Sequence, residues 1–306
     1  METKVSFERI LCPVADSHST DVGLHYAIAL ARSYNAKLLV LTCRNKSSAR
    51  TGETENSMRA GVKRAIEDSF VMFQTEAASL DWEFIVVESN RPAVSIKSEA
   101  EQKNIDLIVM GARRQPHAVV LLGSTAEAVC RSAPCPVLVT RARRAEHPIA
   151  IGRLKFKKLL VASDFSSDSQ LALRYGLLLA QKYQSDLHLL HVMPDSKPHL
   201  ADITWSPQSE EGPYHIAARR LHESVPAEAH LWCQVTHSVR AGRAYREIVS
   251  YAVEQKIDLI CIGARGQGFK LGTLFGSNAD RVLRTAPCPV LVVRPLKPSI
   301  AETTMN

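Results

Sequence analysis

Residues 257–277 read Ile257-Asp-Leu-Ile-Cys-Ile-Gly263-Ala-Arg-Gly266-Gln-Gly-Phe-Lys-Leu-Gly-Thr-Leu-Phe-Gly276-Ser277. The apolar run Ile257–Ile262 predicts a buried strand, and Asn278-Ala-Asp-Arg-Val-Leu-Arg284 predicts a helix. A glycine-rich loop in that position is a device for holding phosphate. Glycine lets the backbone come close to an anion, and the first N–H groups of the helix have no helical partner and point at it. Gly263 and Gly266 are separated by two residues, Gly266 and Gly276 by nine, and Ser277 follows at once. No Lys-Ser/Thr pair follows the glycines, so this is not a Walker loop, and it is not G-x-G-x-x-G either. The G-x2-G-x9-G-S spacing between strand and helix favours a nucleotide-phosphate site over a plain connector.

Most of this stretch has a counterpart earlier in the chain. Ile105-Asp-Leu-Ile-Val-Met-Gly-Ala-Arg-Arg-Gln115 returns as Ile257-Asp-Leu-Ile-Cys-Ile-Gly-Ala-Arg-Gly-Gln267, and Ala133-Pro-Cys-Pro-Val-Leu-Val-Thr-Arg141 returns as Ala286-Pro-Cys-Pro-Val-Leu-Val-Val-Arg294. Gly123-Ser-Thr-Ala-Glu matches Gly276-Ser-Asn-Ala-Asp. The repeat length is about half the chain, which predicts a duplicated domain and not a short solenoid repeat. The expected domains are 1–145 and 154–298, with a basic linker over 142–157 in which Pro148 prevents a simple helix.

Within the first unit the pattern predicts a strand at Ile10–Ala15 ending at Asp16. A helix follows, with Ser17 to Thr20 offering cap oxygens and Ala27, Leu30, Ala31 and Tyr34 on one face. Strands at Lys37–Thr42, Glu83–Glu88, Ile105–Met110 and Pro136–Arg141 alternate with helices at about Asn56–Ala78, Pro92–Gln102 and from Ser124. The second unit repeats the plan, with strands at Leu159–Ser163, Leu187–Val192 and Leu231–Thr236. Its helices are predicted at Ser167–Tyr183, from Pro207 to Glu223, and at Arg243–Glu254. Alternation of this kind predicts an α/β fold: two doubly wound, mostly parallel five-stranded domains in tandem. Such sheets bind ligands at the carboxyl ends of their strands, near the switch in winding direction, where the glycine loop begins.

The 306 residues are 45% hydrophobic and 23% charged, which suits two globular domains. Lys plus Arg number 38 against 31 Asp plus Glu, a net charge of +7. The charges are spread along the chain with no basic arm interleaved with aromatics, so nucleic acid is not the expected partner. No apolar run approaches the roughly 18 residues of a spanning helix, so no membrane role is expected. The charged start, Met1-Glu-Thr-Lys, is no secretory signal, and the seven cysteines form no CxxC pair; free thiols and a cytoplasmic location are expected. No nucleophile elbow, HExxH or DxDxDG stretch is present, so no dedicated catalytic apparatus is predicted. His188 and His191 fall on opposite faces of their strand, which argues against a shared metal. Cys130 and Cys135 are too few for a structural zinc site and read as packed residues.

Taken together, the strand–helix order, the two Ala-Pro-Cys-Pro-Val-Leu-Val strands and the glycine loop resemble the universal stress protein family over nearly the whole chain. The resemblance implies a Rossmann-like, adenine nucleotide alpha hydrolase-like fold. It also implies ATP, expected with Mg2+, in the second unit. Carried onto this chain, it puts Asp164 at the ribose or adenine edge, Val192 against the base, Gly263 and Gly266 along the phosphates, and Gly276, Ser277 and Asn278 closing over them. Ser163, Ile262 and Arg265 complete the implied set. Asp164 equally fits a helix cap, and Arg265 and Lys270 fit either phosphate partners or solvated loop charges. The first unit departs from the pattern: Arg114 stands where Gly266 stands in the second, Pro116 removes an N–H, and the spacing to Gly123 is eight residues. Weak or absent ATP binding is expected there. Pairing of the two units through Pro136–Arg141 and Pro289–Arg294 is expected, and with it self-association of the chain and an unidentified protein partner. The implied function is an ATP-binding stress-response regulator or sensor. A nucleotide-independent interaction protein and a slow ATP hydrolase are the rivals.

Overall fold

The computed structural model describes residues 6–14, 22–44, 55–72, 80–112, 123–140, 149–150, 153–194, 212–267 and 275–294. The first half runs β1 (Arg9–Val14), α1 (Val22–Tyr34), β2 (Lys37–Arg44), α2 (Glu55–Met72), β3 (Trp82–Glu88), α3 (Pro92–Gln102), β4 (Leu107–Gly111), α4 (Ser124–Ser132) and β5 (Val137–Thr140). Two short strands, β6 (Ile149–Ala150) and β7 (Arg153–Leu154), pair antiparallel in the linker. The second half runs β8 (Lys158–Ala162), α5 (Ser167–Tyr183), β9 (Asp186–Met193), α6 (Pro213–Glu223), β10 (Val235–Ala241), α7 (Ala244–Glu254), β11 (Leu259–Gly263), α8 (Ser277–Thr285) and β12 (Val290–Val293).

The strands β10-β9-β8-β11-β12-β5-β4-β1-β2-β3 form one ten-stranded sheet. Each half is parallel throughout, and the halves join where β12 pairs antiparallel with β5, Leu291 opposite Leu138. The last strands therefore meet each other. Both are apolar and fully buried, so pairing removes two edges that would otherwise expose unpaired backbone beside Val and Leu. Side chains of the two halves also meet beside this joint. Tyr26 stacks on Phe156 at 6.4 Å, Phe7 on Tyr175 at 6.1 Å, and Lys182 Nζ lies 5.1 Å from the Tyr34 ring centre. Helix α1 is buried beyond the predicted stripe: Leu24, Tyr26, Ile28 and Ala29 are also enclosed, Tyr26 against Phe156.

The repeated Ile-Asp-Leu-Ile motif has a structural cause. Asp106 Oδ2 accepts the backbone N–H groups of Glu8 and Arg9 at 2.9 and 2.8 Å, and Asp258 Oδ2 accepts those of Lys157 and Lys158 at 2.8 and 3.0 Å. One carboxylate thus ties the start of the fourth strand of each half to the start of the first. All seven cysteines are free. Burial pushes the thiols of Cys130, Cys135 and Cys261 up to about 12, which leaves them packed and unreactive. No helix among the described residues is long and apolar enough to cross a membrane.

One strand lies away from its expected place. Residues Ala227–Leu231 form a short 3-10 helix and β10 begins at Val235, four residues after the predicted start at Leu231. Pro226 precedes the turn, and Leu231 is left 86% exposed, which no interior strand position allows. The predicted helix start at Pro207 and the cap residues Ser17 to Thr20 lie outside the described residues.

Three histidines gather beside that turn. His237 on β10 lies 5.2 Å from His222 and 6.3 Å from His230, ring centre to ring centre, and its Nε2 is enclosed without a hydrogen-bond partner. Burial, then the charges of His222 and His230, push the His237 imidazole down to about 4. The unfolded chain takes up this proton more readily than the folded one. Neutral His237 therefore contributes its full stability above about pH 6.5 and loses it as the pH falls towards 4. Discounted for solvent screening, this is about 1–2 kcal/mol. His237→Gln is expected to flatten the fall in urea midpoint between pH 7.5 and 5; identical slopes for the variant and the parent chain would refute the assignment.

Candidate functional site

The winding of each half reverses between its first and fourth strands, so in the second half the carboxyl ends of β8 and β11 diverge. A cleft of about 1000 Å³ opens there. All ten residues singled out in the sequence line it: Ser163, Asp164, Val192, Ile262, Gly263, Arg265, Gly266, Gly276, Ser277 and Asn278.

Asp164 leaves β8 and does not cap α5. That task falls to Ser166, whose hydroxyl accepts the N–H of Ser169. The carboxylate of Asp164 instead joins two segments. Its Oδ1 accepts the Ser166 hydroxyl at 2.5 Å and the Ser166 N–H at 3.1 Å, and its Oδ2 accepts the Gln267 N–H at 2.8 Å. Burial raises its pKa, but these donors outweigh burial and hold the group below its ordinary value. It is an ionised acceptor near neutral pH, not a base. A carboxylate offers about four acceptor positions. The Ser169 hydroxyl is a further donor to that of Asp164.

Between Asp164 and Ser166 the backbone turns through Phe165, which takes a left-handed φ of 63°. Such a conformation is costly for a bulky residue and persists only when its surroundings impose it. Here the ring is held between the His191 imidazole at 4.6 Å and the Arg220 guanidinium at 4.0 Å. His191 Nδ1 lies 2.8 Å from the Ser163 carbonyl. A carbonyl only accepts, so Nδ1 carries the proton, and burial keeps the ring neutral with Nε2 as an acceptor. His188, on the opposite face, bonds through Nδ1 to the Tyr251 hydroxyl at 2.9 Å. The two histidines share nothing.

The glycines are explained by close approach. A Cβ on Gly263 would lie 2.8 Å from both the carbonyl carbon and the Cβ of Asp168, so β11 and the first turn of α5 touch only because Gly263 has none. At Gly266 a Cβ would collide with the Asp164 carboxylate. Gly276 donates its N–H to the Ala264 carbonyl at 2.8 Å, which closes the ends of the loop. Among the described residues no equivalent bond joins Gly123 to Ala112, and nothing lies within 4 Å of a Cβ on Gly123. Asp16, Arg114, Pro116 and Lys270 lie outside the described residues.

Gly276 is the N-cap of α8 and offers no side-chain cap, so the N–H groups of the first turn face the cleft unshielded by a side-chain oxygen. Ala162, Leu190, Val192, Ile248 and Ile262 supply apolar lining. Sequence reasoning missed Asp168, which is only 4% exposed. Its Oδ2 accepts the Arg265 N–H at 3.0 Å, and Arg265 and Arg294 lie in its field, although burial outweighs them and raises its pKa. Its one signal was an acidic residue in the first turn of a helix, where it serves the dipole anyway. Among the described residues no cluster of three His, Cys, Asp or Glu fits a metal ion.

The family model described as Universal stress protein family matches residues 6–141 and 155–294. A universal stress protein of Methanocaldococcus jannaschii is 29% identical over 151 residues, covering 47% of this chain and 85% of that protein. One from Thermus aquaticus is 34% identical over 145 residues, covering 45% of this chain and 99% of that protein. Among solved structures, a universal stress protein from Archaeoglobus fulgidus superposes with a TM-score of 0.62 at 24% identity, covering 94% of this chain and 98% of that one, a likeness of fold. With both halves matched and the doubled sheet in place, the chain belongs to the universal stress protein family and carries the family's unit twice in tandem.

Proposed function

We propose that the second half binds ATP and that the chain acts as a nucleotide-dependent stress-response regulator or sensor. One observation carries this: the ten residues named from sequence line a single cleft into which the uncapped first turn of α8 opens. The residues fit a nucleotide. Val192 and its apolar neighbours suit a base, the ionised carboxylate of Asp164 suits a ribose hydroxyl, and the N–H groups of Ser277 and Asn278 suit phosphate oxygens. Glycine at 263 and 266 lets two backbone segments line the phosphates at close range. Mg2+ would be held chiefly by the phosphate oxygens, as is usual for this ion. Asp164 is committed as an acceptor and His191 is neutral, which supports binding more than hydrolysis. A cytoplasmic location and a protein partner that reads the occupied state go with this proposal.

Calorimetric titration of the full chain with ATP tests it. One saturable event per chain is expected, because Arg114 and Pro116 interrupt the loop of the first half. Absence of binding would favour a nucleotide-independent interaction protein, and release of ADP above background would favour a slow hydrolase.

A further inference from the structure

One residue lining the cleft comes from the other half. Arg131, in the last turn of α4, borders the same cavity as Asp164 and Gly266. It reaches there because β5 and β12 pair, which brings the end of α4 against the end of β12: Arg294 Nη1 donates to the Arg131 carbonyl at 2.5 Å. By the repeat, Arg131 corresponds to Arg284, each standing eight residues after its loop glycine. The two are not equivalently held. Arg284 is bonded to two carboxylates, Asp280 at 2.9 Å and Glu127 at 2.7 Å. Arg131 has one anchor, Glu127 at 2.6 Å, and its Nε is enclosed with no hydrogen-bond partner. A guanidinium carries five N–H donors in a planar fork. The Arg131 fork is therefore largely unused, at the border of a cleft that the first turn of α8 also lines.

We propose that the cleft is completed across the joint: Arg131 of the first half is a binding residue for the anionic end of the ligand held by the second. This rests on the nucleotide reading of that cleft and adds a group from outside the glycine loop. Guanidinium–phosphate contacts are charge-assisted and bidentate, so an anionic ligand joins α4 of one half to α8 of the other. Glu127 and Arg284 carry that link on to Asp280, which also borders the cleft.

The test compares the full chain with Arg131→Gln and Arg131→Lys, titrated with ATP and with adenosine. Arg131→Gln is expected to weaken ATP on the order of tenfold, the range of one charged hydrogen bond, and to leave adenosine within about twofold. Arg131→Lys recovers part of the loss. Unchanged ATP affinity in Arg131→Gln, beside normal binding by the parent chain, overturns this inference alone. An equal loss for ATP and adenosine overturns it too, since a phosphate contact cannot act on adenosine. No binding of either by the parent chain overturns the nucleotide reading and this inference with it. If Arg131→Gln melts early, Glu127→Gln reads the same contact from its anchor. Freeing Arg131 leaves ATP affinity equal or higher, and a tenfold loss there refutes the inference.

Discussion

Gly266→Val is expected to lower the affinity for ATP by at least about a hundredfold while the chain still folds. The Cβ it introduces meets the Asp164 carboxylate, the mobile end of a side chain. The carboxylate can swing away, so the backbone need not shift far. The fold then loses the Gln267 and Ser166 bonds to Asp164, about 1–2 kcal/mol, or a few degrees of melting temperature. Binding suffers more, because the same movement takes away the acceptor for the ribose and pushes the loop off the phosphates. Loss of a hundredfold corresponds to about 2.7 kcal/mol, a modest sum for one charged acceptor and a displaced loop. Gly266→Arg separates sterics from charge. It writes the first half's residue, Arg114, into the second half. If charge limited binding, the added guanidinium would help. If close approach limits it, the variant loses ATP as the valine does. Tight ATP binding by both variants would remove Gly266 from the site.

The same residue marks how far the sequence could be read. Strand–helix alternation and the doubled Ala-Pro-Cys-Pro-Val-Leu-Val segments were enough for two parallel α/β units and for pairing through β5 and β12, because buried parallel strands leave long apolar runs. The ten cleft residues lie at the ends of three strands and in one loop, the places that the strand–helix order and the family resemblance single out. Their neighbours were not legible. Asp168 lies in the first turn of α5 and meets Arg265 across 97 residues. Arg131 reaches the cleft only through the pairing of the halves. The shift of β10 to Val235 escaped prediction because Leu231-Trp-Cys has strand-like composition, while its outcome depends on what packs around Ala229 and Cys233. Even Gly266, chosen for its place in the loop, had a second reason behind it: the vacant Cβ position admits Asp164, a contact between distant segments.

Gly263→Val should behave differently from Gly266→Val, and the difference tests whether the two glycines do separate work. Around Gly263 the nearest atoms to an added Cβ are the Asp168 carbonyl carbon and Cβ at 2.8 Å and the Ser169 nitrogen at 2.9 Å. Two of these are backbone atoms of the first turn of α5, and that turn is fixed by the Ser166 cap and by burial of Asp168 and Ser169. No rotamer change relieves the contact. Either β11 moves out of register with β8 and β12, or α5 lifts from the sheet, and each exposes packed residues such as Leu173 and Ile262. Overpacking of this kind costs about 3 kcal/mol or somewhat more. Gly263→Val is therefore expected to lower the urea midpoint of the second half sharply and to lose ATP binding with it. Gly263→Ala follows in the same direction, since the first carbon already makes the clash. If Gly263→Val instead melts with the parent chain and loses only ATP, the close contact between β11 and α5 is not what the glycine preserves, and its place belongs wholly to the ligand.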